Sequence, residues 1–235
     1  MWRDAGADTL TIPSTDPSVK EPIVNLPWQP LALGLALVLA FAAQLGFGGG
    51  DPEAAARVMG LTPRDLWSNG GSGVFTHLLV HGSWTHLALS AAMTVVLGTP
   101  MARRMPGIRG FLGLVTFFLI CGATGGVAFA ALDADSQDML IGASGAVSGL
   151  LAAAARLARR RQGVEPLWSP LLIAIGAVWL VGNALAAFTQ FAGPSAFSQY
   201  GWQAHVGGFI AGALLTGTWV RLFGDDSERL RPARS

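Results

Sequence analysis

Residues 142–156 read Gly142-Ala143-Ser144-Gly145-Ala146-Val147-Ser148-Gly149-Leu150-Leu151-Ala152-Ala153-Ala154-Ala155-Arg156. The run is apolar and made of small residues, yet it opens on a serine and closes on an arginine. As a helix rising about 1.5 Å per residue, Ser144 to Arg156 covers only about 18 Å. Hydrocarbon is about 30 Å thick, so with Arg156 at one boundary Ser144 lies on the order of 10 Å below the other. The polar stretch Asp133–Gln137 precedes the run, so the chain must descend as Asp138–Ile141 before the helix begins. Irregular backbone at that depth is tolerated only beside protein or a water-filled cavity. A water-accessible cavity, open on the side where the serine lies, is therefore expected.

The rest of the chain fits a membrane setting. Of 235 residues, 51% are hydrophobic and 12% charged, against about 25% charged in soluble domains; the mean hydropathy is +0.48. Six apolar runs stand out: Pro30–Gly48, Trp84–Leu97, Phe111–Leu132, Ala143–Leu157, Leu171–Phe191 and Ala204–Leu222. Their Ala, Leu and Gly content makes helices the only plausible spanning structure. The second is expected to stop at Thr99-Pro100. The fold class expected is thus an all-α membrane protein, a bundle of six transmembrane helices.

The charges orient that bundle. Thirteen basic residues (Arg3, Lys20, Arg103, Arg104, Arg109, Arg156, Arg159, Arg160, Arg161, Arg221, Arg229, Arg231, Arg234) fall before the first run, after the last, or in alternate loops. The opposite side has two, Arg57 and Arg64. Positive residues stay inside, so both termini are expected in the cytoplasm of a cell with this protein in its inner membrane. Residues 1–26 are expected to form a cytoplasmic tail, 27–223 the six-helix domain and 224–235 a second tail. The first stretch is polar, with Asp4, Asp8, Asp16 and Glu21, and lacks the apolar centre of a signal peptide. Cys121 is the one cysteine, which excludes an internal disulfide and a cysteine metal cluster.

All four histidines accompany the apolar runs: His77, His81 and His86 at the second, His205 at the sixth. Ionisable residues in spans are costly and by default mark function. With the N-terminus inside, runs two, four and six all begin at the outer face. That puts the histidine group, Ser144 and His205 in one leaflet. Ser83 is a natural N-cap for a helix starting at Trp84. His86 then falls in the first turn with Ser90 on its face, while His77 and His81 precede the helix and can hold irregular backbone by bonding its carbonyls. Gly208 and Gly212 in run six match Gly145 and Gly149 in run four. Such pairs let helices approach closely in lipid, bringing His205 within reach of Ser144.

These residues resemble the rhomboid family of intramembrane serine proteases. The Gly142-Ala143-Ser144-Gly145 stretch is similar to its nucleophile motif, and Ala204-His205 followed by Gly208 and Gly212 to its general-base motif. His77, His81 and His86 have the spacing of the histidines at its second span. The resemblance runs from Pro30 to Leu222 and implies the minimal six-helix form. It departs at three points. Ser90 stands where the family usually has an asparagine that helps hold the oxyanion. Trp67–Gly73 lacks the usual Trp-Arg pair, and Ser148 replaces an aromatic residue four positions after the nucleophile.

The resemblance implies endoproteolysis of single-pass transmembrane proteins near the outer face. Ser144 would be the nucleophile and His205 the base, in a dyad without carboxylate because the relevant spans hold no acid. His86, the backbone N–H groups of the Gly142–Ser144 turn and, more weakly, Ser90 are the oxyanion donors to consider. The expected partners are transmembrane substrates and the lipid bilayer, with no nucleic acid, cofactor or metal. The uncharged stretch from Ala192 to Gly201 reads equally as a cap over the cavity or as a plain connector. Two other classes stay open: a catalytically impaired rhomboid-like protein that binds membrane clients, and a histidine-lined metal transporter. The latter lacks intramembrane Asp, Glu or Cys to complete a ligand set.

Overall fold

The computed structural model describes residues 26–66, 71–132, 134–159, 163–191 and 201–224. All but residues 26 and 224 of the expected tails, the Trp67–Gly70 part of the first loop and the 192–200 part of the possible cap lie outside them. Among the described residues eight helices follow in order: α1 Trp28–Phe47, α2 Pro52–Met59, α3 Gly73–Thr76, α4 Trp84–Arg104, α5 Gly107–Leu132, α6 Ser144–Leu157, α7 Pro170–Phe191 and α8 Trp202–Phe223. Short 3-10 turns occur at Pro63–Asp65 and His77–Leu79. Helices α1, α4, α5 and α8 are long and apolar enough to cross a membrane, and α6 and the Pro170–Ala186 part of α7 are shorter apolar helices. The chain is an all-helical integral membrane protein, with each of the six apolar runs on a helix.

One boundary differs from expectation. Helix α4 does not stop at Thr99-Pro100 but continues through Pro100 to Arg104. Proline removes one backbone donor, a loss that helices packed inside a membrane protein tolerate. Here Gly98, Thr99, Met101 and Ala102 around it are all buried, and the Thr99 hydroxyl donates to the Val95 carbonyl at 2.7 Å. Packing outweighs the local break.

Helix α6 is the centre of the bundle. Gly145, Ala146, Ser148, Gly149, Leu150, Ala152 and Ala153 are buried, and α4, α5, α7 and α8 surround it. In lipid there is no hydrophobic gain from pairing helices, so close van der Waals packing must hold them. Helices α6 and α8 meet at the paired glycines. A Cβ on Gly208 would lie 2.0 Å from the Gly145 carbonyl oxygen, and one on Gly212 2.2 Å from that of Gly149. Helix α8 could carry a methyl at neither position without moving away from α6.

The two ends of the bundle differ in chemistry. At one end Arg104 donates to the Gly163 carbonyl at 3.1 Å and Arg109 to that of Leu222. The buried Arg156 donates to Glu165 O at 2.8 Å and Ala213 O at 2.6 Å. A buried cation costs least when backbone oxygens satisfy it. At the other end, Leu61 and Leu140 form a two-bond bridge, N–H to carbonyl at 3.0 and 2.8 Å. The Arg64 N–H donates to Ser136 O at 3.3 Å. These bonds tie the last part of the segment that descends to α6, where Leu140 is buried, while Ala134, Asp135, Gln137 and Asp138 stay exposed.

Candidate active site

Four elements meet where α6 begins. Ser83 caps α4 by accepting from the His86 N–H at 3.2 Å, which sets the helix start at Trp84 and puts the His86 ring in the first turn. Gly142 sits beneath that ring with φ of 104°. A Cβ there would lie 2.6 Å from His86 Cε1, so both conformation and space demand glycine. Its N–H donates to the His77 carbonyl at 2.9 Å. That bond turns the Gly142 hydrogen, expected as an oxyanion donor, toward the first loop, and the glycine lets the chain turn under His86. The Ser144 N–H, in the first turn of α6, belongs to the donors that no intrahelical carbonyl can satisfy.

The close approach of α6 and α8 sets His205 Nε2 2.8 Å from Ser144 Oγ. Ser144 is half-buried, as is His86, while His205 is buried; the serine is thus the reachable end of the pair. Ser148 points elsewhere, donating to the Ser144 carbonyl at 2.8 Å.

Sequence reasoning missed a third member. His205 Nδ1 lies 2.7 Å from Asn183 Oδ1, and Asn183 Nδ2 donates to the Trp179 carbonyl at 2.7 Å. Both come from α7, and the Trp179 ring lies tilted beside His205 with centroids 5.9 Å apart. The signal was available: an amide midway along an apolar span is expensive unless it has a partner.

The other two histidines divide differently from expectation. His77 does hold irregular backbone, with Nδ1 donating to Gly73 O at 2.8 Å. His81 does not: both its ring nitrogens are buried without a hydrogen-bond partner, and the ring packs edge-on against His86, centroids 5.1 Å apart. The backbone at His81 is held instead by Gln44 of α1, whose amide donates to His81 O at 2.8 Å and accepts from His81 N at 3.0 Å. That glutamine too went unread. Ser90 is buried on α4 and its carbonyl accepts from the Thr94 hydroxyl at 2.7 Å. Its own hydroxyl bonds to none of Ser144, His86 or His205. Among the described residues no cluster of three metal-ligating side chains occurs.

Burial pulls the His77 imidazole down to about 4 from its usual 6.5. Its neutral form therefore contributes stability fully above about pH 6.5, and that contribution is lost as pH falls toward 4, because the unfolded chain binds the proton first. At pH 5 the loss is on the order of 2 kcal/mol. Thermal unfolding in detergent is expected to show a lower Tm at pH 5 than at pH 7.5, with a shallower dependence in His77→Asn, whose amide can donate to Gly73 O but does not titrate. An equally steep dependence in that variant would reject the assignment.

A serine and an imidazole within hydrogen-bond reach, inside an all-helical membrane domain, define a class: integral membrane proteins with a hydrolase-like pair in the bundle. The family model for the Rhomboid domain matches residues 64–222, and the chain belongs to the rhomboid family, whose members are generally intramembrane serine proteases acting on membrane proteins. Comparison with curated proteins returns no match.

Proposed function

We propose that this protein is an intramembrane serine endopeptidase that cleaves single-pass transmembrane proteins near the outer membrane face. The observation that carries the reading is the 2.8 Å contact between Ser144 Oγ and His205 Nε2. In this mechanism His205 takes the serine proton as Oγ attacks the peptide carbonyl, then returns it to the leaving amine. The tetrahedral oxyanion is held by the Ser144 N–H and the His86 ring. Ser90 is too short to share this task. His77, Gly208 and Gly212 shape the site rather than react.

The membrane domain is taken as six spans from residue 27 to 223, with tails at 1–26 and 224–235 in the cytoplasm. The arginines gathered at one end support this orientation, in which the site opens to the extracytoplasmic side of the inner membrane. A substrate helix unwinds locally to present its peptide bond at the depth of Ser144.

The test uses detergent-solubilised protein, a fluorophosphonate probe and a model transmembrane substrate. Wild type is expected to be labelled and to cleave; Ser144→Ala is expected to do neither. His205→Ala, with the serine but no base, is expected to label at least about 10²-fold more slowly, within the usual range for general-base catalysis. Rapid labelling of His205→Ala would transfer the base role, His86 being the next imidazole. A wild type that neither labels nor cleaves would leave client binding without proteolysis as the reading.

A further inference from the structure

We propose that Asn183 is a positioning residue that fixes the tautomer of His205, so that the pair works as a Ser–His–Asn relay; the inference rests on the serine-hydrolase reading. An imidazole can accept the serine proton only if Nε2 carries a lone pair, which requires the ring proton to sit on Nδ1. The orientation of the amide is what decides this. Asn183 Nδ2 is occupied by the Trp179 carbonyl four residues back on the same helix, which leaves Oδ1 as the atom 2.7 Å from His205 Nδ1. A carbonyl oxygen there only accepts, so it holds the proton on Nδ1 and frees Nε2 for Ser144 Oγ at 2.8 Å.

The choice of amide rather than carboxylate follows from the surroundings. Asn183 is 2% exposed. A carboxylate so deep within the bundle is costly to desolvate, whereas a neutral amide orients the ring without that penalty. The amide stabilises imidazolium less than a carboxylate does, so it sets tautomer and ring direction more than base strength.

The carrier helix adds a second consequence. Helix α7 seats through Leu172 and Ile175 against Ala152, Ala155 and Ala213 of α6 and α8, with Phe209 in the same cluster. Farther along, Val178, Leu180, Val181 and Leu185 are exposed and a Cβ on Gly182 would touch nothing within 4 Å. Among the residues of that half whose burial is described, Asn183 is the buried one. Moving this half of α7 away from α8 withdraws the acceptor from His205, so base competence depends on α7 being seated.

The experiment measures fluorophosphonate labelling of the full chain in detergent between pH 5.5 and 9, together with kcat and KM on a model substrate. Asn183→Leu, which keeps volume but removes the acceptor, is expected to label at least about tenfold more slowly at pH 7.5 and to lose kcat with little change in KM. Asn183→Asp is expected to keep the label and to move the acidic limb of the rate–pH profile upward, because a carboxylate at Nδ1 favours imidazolium. A purely structural role would change Tm and leave that limb in place. Asn183→Leu labelling at the wild-type rate, or Asn183→Asp with an unmoved acidic limb, would overturn the proposal while wild type still labels at Ser144. Absence of labelling in wild type itself sinks the hydrolase reading and the proposal with it.

Discussion

Ser144→Ala is expected to lower cleavage of a model transmembrane substrate by at least about 10³-fold, with the melting temperature unchanged within a degree or two. Removing the nucleophile eliminates the covalent route, and what survives is only binding and oxyanion stabilisation. Stability should hold because the hydroxyl is half-buried and its recorded bond is to His205, which keeps Asn183 as a partner. Ser148 provides the control. It lies one turn along the same helix, is fully buried, and bonds to the Ser144 carbonyl. Ser148→Ala loses one hydroxyl-to-backbone bond of a kind worth about 1 kcal/mol and touches no reacting atom. Cleavage assays on the two variants side by side decide the assignment; equal activity would remove Ser144 from its role.

Gly208→Ala is expected to cost at least about 10²-fold in activity together with a marked fall in Tm. The added methyl would lie 2.0 Å from the Gly145 carbonyl oxygen and 2.7 Å from its carbon, both backbone atoms of α6 that no rotamer change can move. Helices α6 and α8 must separate by more than about 1 Å to reach ordinary contact, and a misplacement of that size at reacting groups costs about 10²-fold. The 2.8 Å Ser144–His205 contact spans this same interface. Gly46→Ala on α1, where an added Cβ meets nothing within 4 Å, is the matched control and is expected to be silent. A Gly208→Ala protein with wild-type cleavage and Tm would show that the two helices do not need this approach.

The elements themselves were legible along the chain because each rests on local pattern. The apolar runs sit on helices, since backbone groups in hydrocarbon have no other way to be satisfied within one segment. The Ser83 cap and the Trp84 start follow from a polar residue before an apolar run. The paired glycines at Gly145, Gly149, Gly208 and Gly212 announced a close helix contact, and α6 and α8 make it. Where local propensity was the whole argument, it failed once: Pro100 does not end α4, because burial of its neighbours outweighs one missing donor.

The pairing of the polar groups was decided by tertiary structure. Gln44 lies 37 residues from the His81 backbone it holds, and Asn183 lies 22 residues from His205 on another helix. Single amides in apolar runs declare that a partner exists without naming it. The His81 ring, expected to bond a carbonyl, makes no hydrogen bond at either nitrogen, while the His77 ring does; their four-residue spacing from each other is silent on which way each ring turns. The Gly142 N–H, a candidate donor by its place in the motif, is engaged by His77 O. Period, capping and small-residue spacing depend on neighbours along one segment, and the sequence determined them. Which donor meets which acceptor depends on how segments far apart in the chain are rotated against one another, and only the assembled bundle decides that.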